Sequence, residues 1–145
     1  MAVGDGGVVH TSSDGFGWTE RATPTGQSLI DLTFDGDRFV AVGANGTVLT
    51  SETGISWTVR STPVANDLVA VAAGNGCRVA SGRDGSLIVS DDGIAWNSVP
   101  TDAVGTLWVA GFGPPGFVVA GETYLRSRGD EQNPAPSSPV TEEEW

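Results

Sequence analysis

One turn signature of seven residues occurs three times in this chain, at a constant spacing of 39 residues. The copies are Ser-Ser-Asp-Gly-Phe-Gly-Trp at residues 12–18, Ser-Glu-Thr-Gly-Ile-Ser-Trp at 51–57 and Ser-Asp-Asp-Gly-Ile-Ala-Trp at 90–96. All three follow the pattern Ser-x-(Asp/Thr)-Gly-x-x-Trp, and each copy is called a box below. A fixed period of this size indicates a duplicated structural unit, so it constrains the architecture of the whole chain.

The repeat extends well outside the boxes. Glycine, leucine and valine recur with the same period, at Gly4, Gly43, Gly82 and Gly121, at Leu29, Leu68 and Leu107, and at Val40, Val79 and Val118. No insertion or deletion interrupts the register until just after Gly121. Units that stay in phase for this long are expected to bury the apolar face of each copy against the next.

The second repeat predicts four short antiparallel strands. They are expected at residues 30–34, 38–43, 47–51 and 57–61, because apolar and polar residues alternate there between turn residues. Asn45-Gly46 predicts a tight hairpin in which both residues take positive φ. Gly6-Gly7 and Asp84-Gly85 stand at the equivalent positions and suit the same turn.

The units at the two ends of the chain are predicted to be incomplete. The first unit has no opening strand. The last unit is expected to have strands at 107–112 and 116–121 and a shortened third strand at 123–127, without a box or a fourth strand. The predicted domains are therefore a repeat domain over residues 1–127 and an acidic, Pro/Ser-rich tail over 128–145, extended or disordered. Trp145, at the end of that tail, is a candidate partner contact.

The boxes have a mechanical interpretation. Their Ser and Asp side chains are suited to bond neighbouring backbone groups, their Gly to a positive φ, and their Trp to cover the space between adjacent sheets. Thr53 replaces Asp in the second copy, which argues against a catalytic carboxylate. The predicted structural turn residues are Ser12, Asp14, Gly15 and Trp18, then Ser51, Thr53, Gly54 and Trp57, then Ser90, Asp92, Gly93 and Trp96.

Charge and composition exclude several classes of function. The chain carries seven arginines and no lysine, and its net charge is −11, which argues against binding to nucleic acid or to anionic membranes. Cys77 is the only cysteine, so no internal disulfide can form. Residues 1–6 do not have the pattern of a secretory signal, and no stretch is apolar enough to span a bilayer. We expect no membrane insertion.

No candidate catalytic or metal site emerges from the remaining residues. His10 stands where the other repeats have leucine or isoleucine, and there is no second histidine to share a metal. Asp35-Gly36-Asp37 lacks the ligand spacing of a calcium loop and is interpreted as a turn. Trp108 is expected on a first strand that lines a central channel, where it either stacks on a sugar or, as we favour, fills a narrow core. No metal, cofactor or enzymatic activity is predicted.

The boxed repeats resemble the Asp-box, or sialidase-type (BNR-like), repeat family over residues 1–127. In that family the box joins the third and fourth strands of a β-propeller blade, so the resemblance implies an all-β fold of antiparallel four-stranded blades. The family's usual box is one residue longer. Sialidases also need an arginine cluster and a Tyr/Glu pair, whereas the arginines here are scattered and Tyr124 is the only tyrosine. The shortened box, with phrases such as Phe39-Val40-Ala41-Val42-Gly43, is similar to the arrays of phage tail, other virion and bacterial surface proteins.

Three functions follow from the resemblance. The first is a non-enzymatic structural or adhesion module of a bacteriophage virion, in a tail or capsid accessory role. The second is a carbohydrate-binding module of a surface or secreted protein, and the third is a sialidase-like remnant. Incomplete end units leave sheet faces uncovered, so either four units close alone, or copies associate, or a larger partner covers them. Self-association is predicted slightly ahead of closure, and localisation is expected in the virion, with cytoplasmic or extracellular alternatives.

Overall fold

The described residues form antiparallel sheets in chain order. In a computed structural model, residues 1–122 and the backbone of residues 125–128 are described. Sheet 1 consists of β1 (Ala2–Val3), β2 (Val9–Thr11) and β3 (Thr19–Arg21). Sheet 2 consists of β4 (Leu29–Phe34), β5 (Phe39–Gly43), β6 (Val48–Ser51) and β7 (Thr58–Arg60).

The second half of the chain repeats this order. Sheet 3 consists of β8 (Leu68–Gly74), β9 (Cys77–Gly82), β10 (Leu87–Ser90) and β11 (Asn97–Ser98). Sheet 4 consists of β12 (Val109–Gly113), β13 (Gly116–Ala120) and β14 (Leu125–Arg128). Within the described residues, the two inner sheets have four strands each and the two end sheets have three, and strand ends differ from the expected ones by at most two residues. Residues 129–145 of the predicted tail, including Trp145, lie outside the described residues.

Sheets 2 and 4 are joined to the preceding sheet by a backbone hydrogen bond at or just before their first strand. The Leu29 N–H donates to the Gly4 carbonyl at 3.0 Å, and the Leu107 N–H donates to the Gly82 carbonyl at 2.9 Å. These bonds place consecutive sheets side by side, with β4, β8 and β12 adjacent along one inner edge. The result is an arc of sheets related by the sequence repeat, which is the arrangement of propeller blades.

Apolar clusters fill the spaces between consecutive sheets. Because successive side chains of a strand point to opposite faces, Val40 and Val42 of β5 face sheet 3, whereas Ala41 between them faces sheet 1. The cluster between sheets 2 and 3 also contains Trp96, and the cluster between sheets 1 and 2 contains Trp57. A third cluster lies between sheets 3 and 4. The core is therefore built from interfaces between neighbouring units.

The recurring glycines at the ends of the second strands allow a close backbone approach. Gly43 is fully extended, at φ −172°, so its need for glycine is steric. A Cβ on Gly43 would overlap the Ser28 carbonyl oxygen, and one on Gly82 would overlap that of Asp67. Both carbonyls belong to segments that enter the first strand of the same sheet. Gly4, in sheet 1, has no such neighbour among the described residues.

The hairpins after these glycines take the predicted conformation. Asn45 and Gly46 have φ values of 54° and 66°, and the Thr47 N–H donates to the Ala44 carbonyl at 3.1 Å. The equivalent Asp84 and Gly85 have φ values of 52° and 66°. Positive φ at both central residues is the type I′ geometry that matches strand twist.

Candidate functional site

The first box is held together by its own side chains. Asp14 accepts hydrogen bonds from the N–H groups of Phe16 and Gly17 at 2.9 and 3.0 Å, and the Gly15 N–H donates to Ser12 Oγ at 2.7 Å. The Trp18 indole N–H donates to the Gly15 carbonyl at 3.1 Å, and Gly15 has a φ of 81°. The Asp14 carboxylate, the Ser12 hydroxyl and the Trp18 indole N–H thus each form hydrogen bonds within the turn.

The other two boxes repeat this network with two changes: Thr53 replaces the Asp in the second box, and the Trp96 indole N–H in the third box has no acceptor among the described residues. In the third box the Ile94 and Ala95 N–H groups donate to Asp92 Oδ1 at 2.7 and 2.9 Å. In the second box Thr53 Oγ1 accepts one bond, from the Ile55 N–H at 3.2 Å. A hydroxyl therefore replaces the carboxylate at the cost of two bonds, one from the following backbone N–H and one from the box Ser hydroxyl, and the turn keeps its shape.

The carboxylates of the first and third boxes are acidic for a structural reason. The N–H groups of Gly17 and Phe16 hold the pKa of Asp14 below its ordinary value. Those of Ile94 and Ala95 do the same to the pKa of Asp92. Hydrogen bonds to the ionised form favour that form, so both groups are charged acceptors at neutral pH.

Each box presents an apolar side chain to solvent at its fifth position. Phe16 is 92% exposed, and Ile55 and Ile94 are about half exposed, at 54% and 47%. The backbone N–H of each is the group that the box Asp or Thr binds, so the turn network fixes where the side chain points. These three residues, called the box tips below, were missed by the sequence reasoning. The available signal was an apolar residue at one turn position in all three copies.

A buried ion pair joins the two inner sheets beside the third box. Asp35, in the β4–β5 turn, contacts Arg78 of β9, and both side chains are almost fully buried. The same guanidinium donates to the carbonyls of Gly76 and Asp91 at 2.9 and 2.7 Å. The predicted turn role of Asp35 is also present, since its Oδ1 accepts from the Arg38 N–H at 2.8 Å.

Arg38 lies next to this pair. A Cβ built on Gly93 would lie 3.2 Å from Arg38 Cδ and 3.7 Å from Arg78 Nε, so two arginines that are distant in sequence meet here. The sequence had suggested that the arginines are scattered. Arg78 is nevertheless committed to Asp35 and to backbone carbonyls, so the arrangement is an inter-sheet connection. Burial tends to raise the pKa of Asp35, but the N–H groups of Arg38 and Asp37, and then Arg78, outweigh it and lower that pKa.

An open pocket of about 230 Å³ lies between sheets 3 and 4, at the end of the sheets that carries the boxes. The side chains of Phe112 and Phe117 form its apolar part, and Asn75 and Asp91 form its polar part. The two phenyl rings contact each other, with centroids 4.9 Å apart. A shallow surface of this kind suits an apolar side chain of a partner better than a reacting small molecule.

Trp108 does not fill a core, contrary to expectation. It directly precedes β12, is 51% exposed, and its indole N–H donates to Glu122 Oε1 at 3.3 Å. The equivalent Ile30 is also about half exposed, since both side chains lie on the inner edge of the arc. The described residues therefore leave about half of the indole surface accessible.

His10 and two other polar side chains of the sheets have structural surroundings. His10 lies 3.9 Å from Glu20 across β2 and β3, and Asp31 accepts a hydrogen bond from the Val71 N–H at 2.9 Å. Arg21 uses its Nε to donate to Thr11 at 2.9 Å, which is a cross-strand contact that the next repeat copies. Within residues 1–122, no three His, Cys, Asp or Glu side chains are grouped to hold a metal ion. No helix in the described part of the chain has the length and hydropathy to cross a membrane.

The outer faces of sheets 1 and 4 are less covered than the inner interfaces. Trp18 is 48% exposed, whereas Trp57 and Trp96 are each 7% exposed. On sheet 4, Val118 is 43% exposed, whereas the equivalent Val79 is 3% exposed. Apolar residues that the repeat places in a core are therefore exposed at both ends of the described arc.

The comparisons with known proteins support the fold. No protein family and no curated protein gave a match. Among solved structures the chain is similar to YCF48 bound to a D1 peptide, with 20% sequence identity and a TM-score of 0.69. The likeness covers 90% of this chain and 46% of the YCF48 chain, so the chain spans less than half of that neighbour's length. At this identity the likeness shows the fold alone, and the predicted all-β fold of β-propeller type is confirmed.

Proposed function

We propose that the chain is a non-enzymatic β-propeller module that binds other proteins and serves as a structural or adhesion component of a bacteriophage virion. The proposal rests mainly on the box tips, which place one apolar side chain at the same solvent-exposed position of three consecutive units. The similarity of its boxes to phage-type Asp-box arrays suggests the virion. The structural neighbour was solved with a peptide of another protein bound to it, which is in keeping with a protein partner.

The box tips are suited to contact with a protein surface. Burial of exposed apolar area is favourable by about 25 cal/mol per Å², so three such side chains provide a useful part of a binding free energy. Their backbone amides are fixed by the box, so little ordering is needed when a partner binds. The net charge of −11 favours a partner surface that is neutral or basic.

Removal of the box tips tests this proposal. The test variant carries Phe16→Ser, Ile55→Ser and Ile94→Ser together. The control variant carries Val59→Ser and Val104→Ser, which are also exposed apolar positions but lie outside the boxes. Each protein is produced during phage infection and followed by antibody through a density gradient. The wild type and the control are expected to sediment with particles, and the box-tip variant is expected to remain at the top.

The proposal fails if wild-type protein never sediments with particles, or if the box-tip variant sediments as the wild type does. Because the tips are exposed, the triple variant is expected to retain the wild-type circular dichroism spectrum and melting behaviour. A folded variant that is lost from particles would therefore identify a contact rather than a defect in folding.

Carbohydrate binding is the second candidate, favoured by the half-exposed Trp108 ring. An indole face held by a hydrogen bond to Glu122 is a suitable stacking surface for a sugar. A glycan array with wild type and Trp108→Ala tests it, with Ile30→Ala as control because Ile30 is the repeat equivalent. Signals lost only in the Trp108 variant would support this candidate. Hydrolysis of a fluorogenic sialoside by the same sample would contradict the non-enzymatic assignment.

A further inference from the structure

We propose that two copies of this chain associate head to tail, with the outer face of sheet 4 of one copy packed on the outer face of sheet 1 of the other. The outer face of sheet 4 is the side away from sheet 3, and the outer face of sheet 1 is the side away from sheet 2. The inference rests on the proposed structural role and names a partner for it. It uses the end faces and does not involve the box tips.

The interface between sheets 2 and 3 shows what such a contact requires. Val40 of sheet 2 is fully buried and shares a cluster with Trp96, the box tryptophan of the following sheet. Sheet 4 presents the equivalent valine, Val118, at 43% exposure. Sheet 1 presents the equivalent tryptophan, Trp18, at 48% exposure. Each end therefore carries the half of the contact that the other end lacks.

The register of sheet 4 extends this apolar face. Val109 pairs with Ala120 and Gly111 pairs with Val118, and directly opposed residues of antiparallel strands point to the same side of a sheet. The side that they share is opposite to Phe117, which packs toward sheet 3. The outer face of sheet 4 is thus uncharged along β12 and β13, with Val109 half exposed. Such a surface is complementary to an indole ring.

The face of sheet 1 has one feature that weakens the contact. His10 stands where the inner sheets have Leu49 and Ile88, both fully buried at the equivalent interfaces. It lies near Glu20, whose side chain is largely exposed. A head-to-tail contact would bury His10 against apolar atoms, which costs free energy unless the imidazole keeps a partner. Replacement of His10 by leucine is therefore expected to strengthen association.

A second copy accounts for both faces with one interaction. An interface between different patches of identical chains is heterologous, and it closes into a ring when the rotation permits. Two copies would make two such contacts and so form one closed ring of sheets. Since this chain covers 46% of the YCF48 chain, two copies approach the length of that neighbour. The dimer is therefore expected to close into a ring.

The first test is the native mass of the full chain, measured by sedimentation velocity over a concentration series. The expected species is a dimer that forms reversibly. Higher salt is expected to favour it, since each copy carries a net charge of −11 and like charges repel. His10→Leu is expected to tighten the dimer. A wild-type chain that stays monomeric at every concentration and salt would overturn the proposal.

The second test separates the two faces. Trp18→Glu disrupts the face of sheet 1, and Val118→Glu disrupts the face of sheet 4. The association constant of each variant alone is expected to fall about tenfold or more, because a charge would be buried without a partner. A mixture of the two variants retains one intact contact, between sheet 4 of the first variant and sheet 1 of the second. Mixing is therefore expected to restore a one-to-one dimer.

Three outcomes of the second test would contradict the proposal. The two variants could dimerise as the wild type does, or their mixture could fail to restore a dimer. Alternatively, Val118→Glu could abolish sedimentation with phage particles while wild-type protein shows no self-association, which would assign the face to another protein. Both positions are half exposed, so the melting temperatures of the variants serve as a check on folding. A particle-association result for the box tips remains valid whatever this test shows.

Discussion

The first box and the two inner boxes share the Ser-to-Gly hydrogen bond of the turn but lie in different surroundings. In the first box, the Gly15 N–H bonds Ser12 and the Trp18 indole bonds Gly15, as the equivalent groups do in the second box. Trp57 and Trp96 are nevertheless buried between sheets, and Trp18 is not. The comparison shows that the box forms its turn locally, whereas the contribution of its tryptophan to stability depends on the neighbouring sheet.

The largest difference is expected when each box tryptophan is replaced by alanine. Trp57→Ala and Trp96→Ala should each cost about 3–5 kcal/mol of unfolding free energy, because a large buried side chain is removed from a packed interface. Trp18→Ala should cost less than about 1 kcal/mol in the monomer, since it removes a half-exposed ring. Urea titrations followed by circular dichroism measure all three. Equal losses at the three positions would refute the comparison.

The buried pair between the inner sheets provides the next largest effect. Asp35→Asn leaves Arg78 buried without its counter-charge and should cost about 3 kcal/mol. The matched control is Asp67→Asn, which removes the partner of the exposed Arg83, 3.0 Å away, and should cost less than about 1 kcal/mol. The same urea titration distinguishes them. A small loss at Asp35 would mean that the pair does not connect the inner sheets energetically.

The recurring glycine distinguishes sheet 1 from the sheets that follow it by steric contact. Gly43→Ala and Gly82→Ala should each cost about 1–3 kcal/mol, because the new methyl group meets a backbone carbonyl that cannot easily move. Gly4→Ala should be nearly neutral, since no described atom lies within 4 Å of its Cβ position. Thermal melts of the three variants suffice for this comparison. A large loss at Gly4 would show that another segment of the chain occupies that position.

A smaller effect separates the two buried tryptophans. The Trp57 indole N–H donates to the Gly54 carbonyl at 3.2 Å, whereas the Trp96 N–H has no acceptor among the described residues. Trp57→Phe should therefore cost about 1 kcal/mol more than Trp96→Phe, which is the net value of one hydrogen bond. Chemical denaturation of the two variants, analysed with a shared m-value, measures the difference. A larger loss for Trp96→Phe would contradict the hydrogen-bond assignment.

Acidic pH should reveal the stabilising carboxylates. The pKa values of Asp14, Asp35 and Asp92 lie below 3.8 in the folded chain. The stability that these groups contribute is present above about pH 4 and is lost as the pH falls through the folded pKa values. Melting temperature should thus be flat from pH 7 to about pH 5 and decline below that range. The decline should be shallower in Asp35→Asn, and an identical decline in that variant would exclude a contribution from Asp35.

Much of the fold could be predicted from the sequence because its signals are local and repeated. The type I′ turn at Asn45-Gly46 needs two residues that accept positive φ, and a dipeptide is enough to identify it. The box Ser and Asp bond amides only two or three residues away. Three copies in phase then predict similar units, because a random sequence does not preserve such a pattern.

The candidate site was harder to predict because its features depend on what lies across an interface. The sequence gives no sign that Asp35 meets Arg78, since 43 residues separate them and neither has a charged equivalent in every repeat. Trp108 was expected to fill a core, but its exposure depends on whether other sheets face the inner edge of the arc and cover the indole ring. The box tips had a readable signal, an apolar residue in a turn, but their exposure is a property of the folded surface.

The repeating unit, the turn chemistry of the boxes and the hairpin turns could all be read from the sequence, because each depends on short-range backbone preferences repeated in phase. Which of the equivalent residues are buried is visible only in the folded chain. Val79 and Val118 occupy the same place in their units, yet one is covered by sheet 4 and the other is 43% exposed. Burial is a relation between neighbouring units, so a pattern that is identical in each unit cannot encode it.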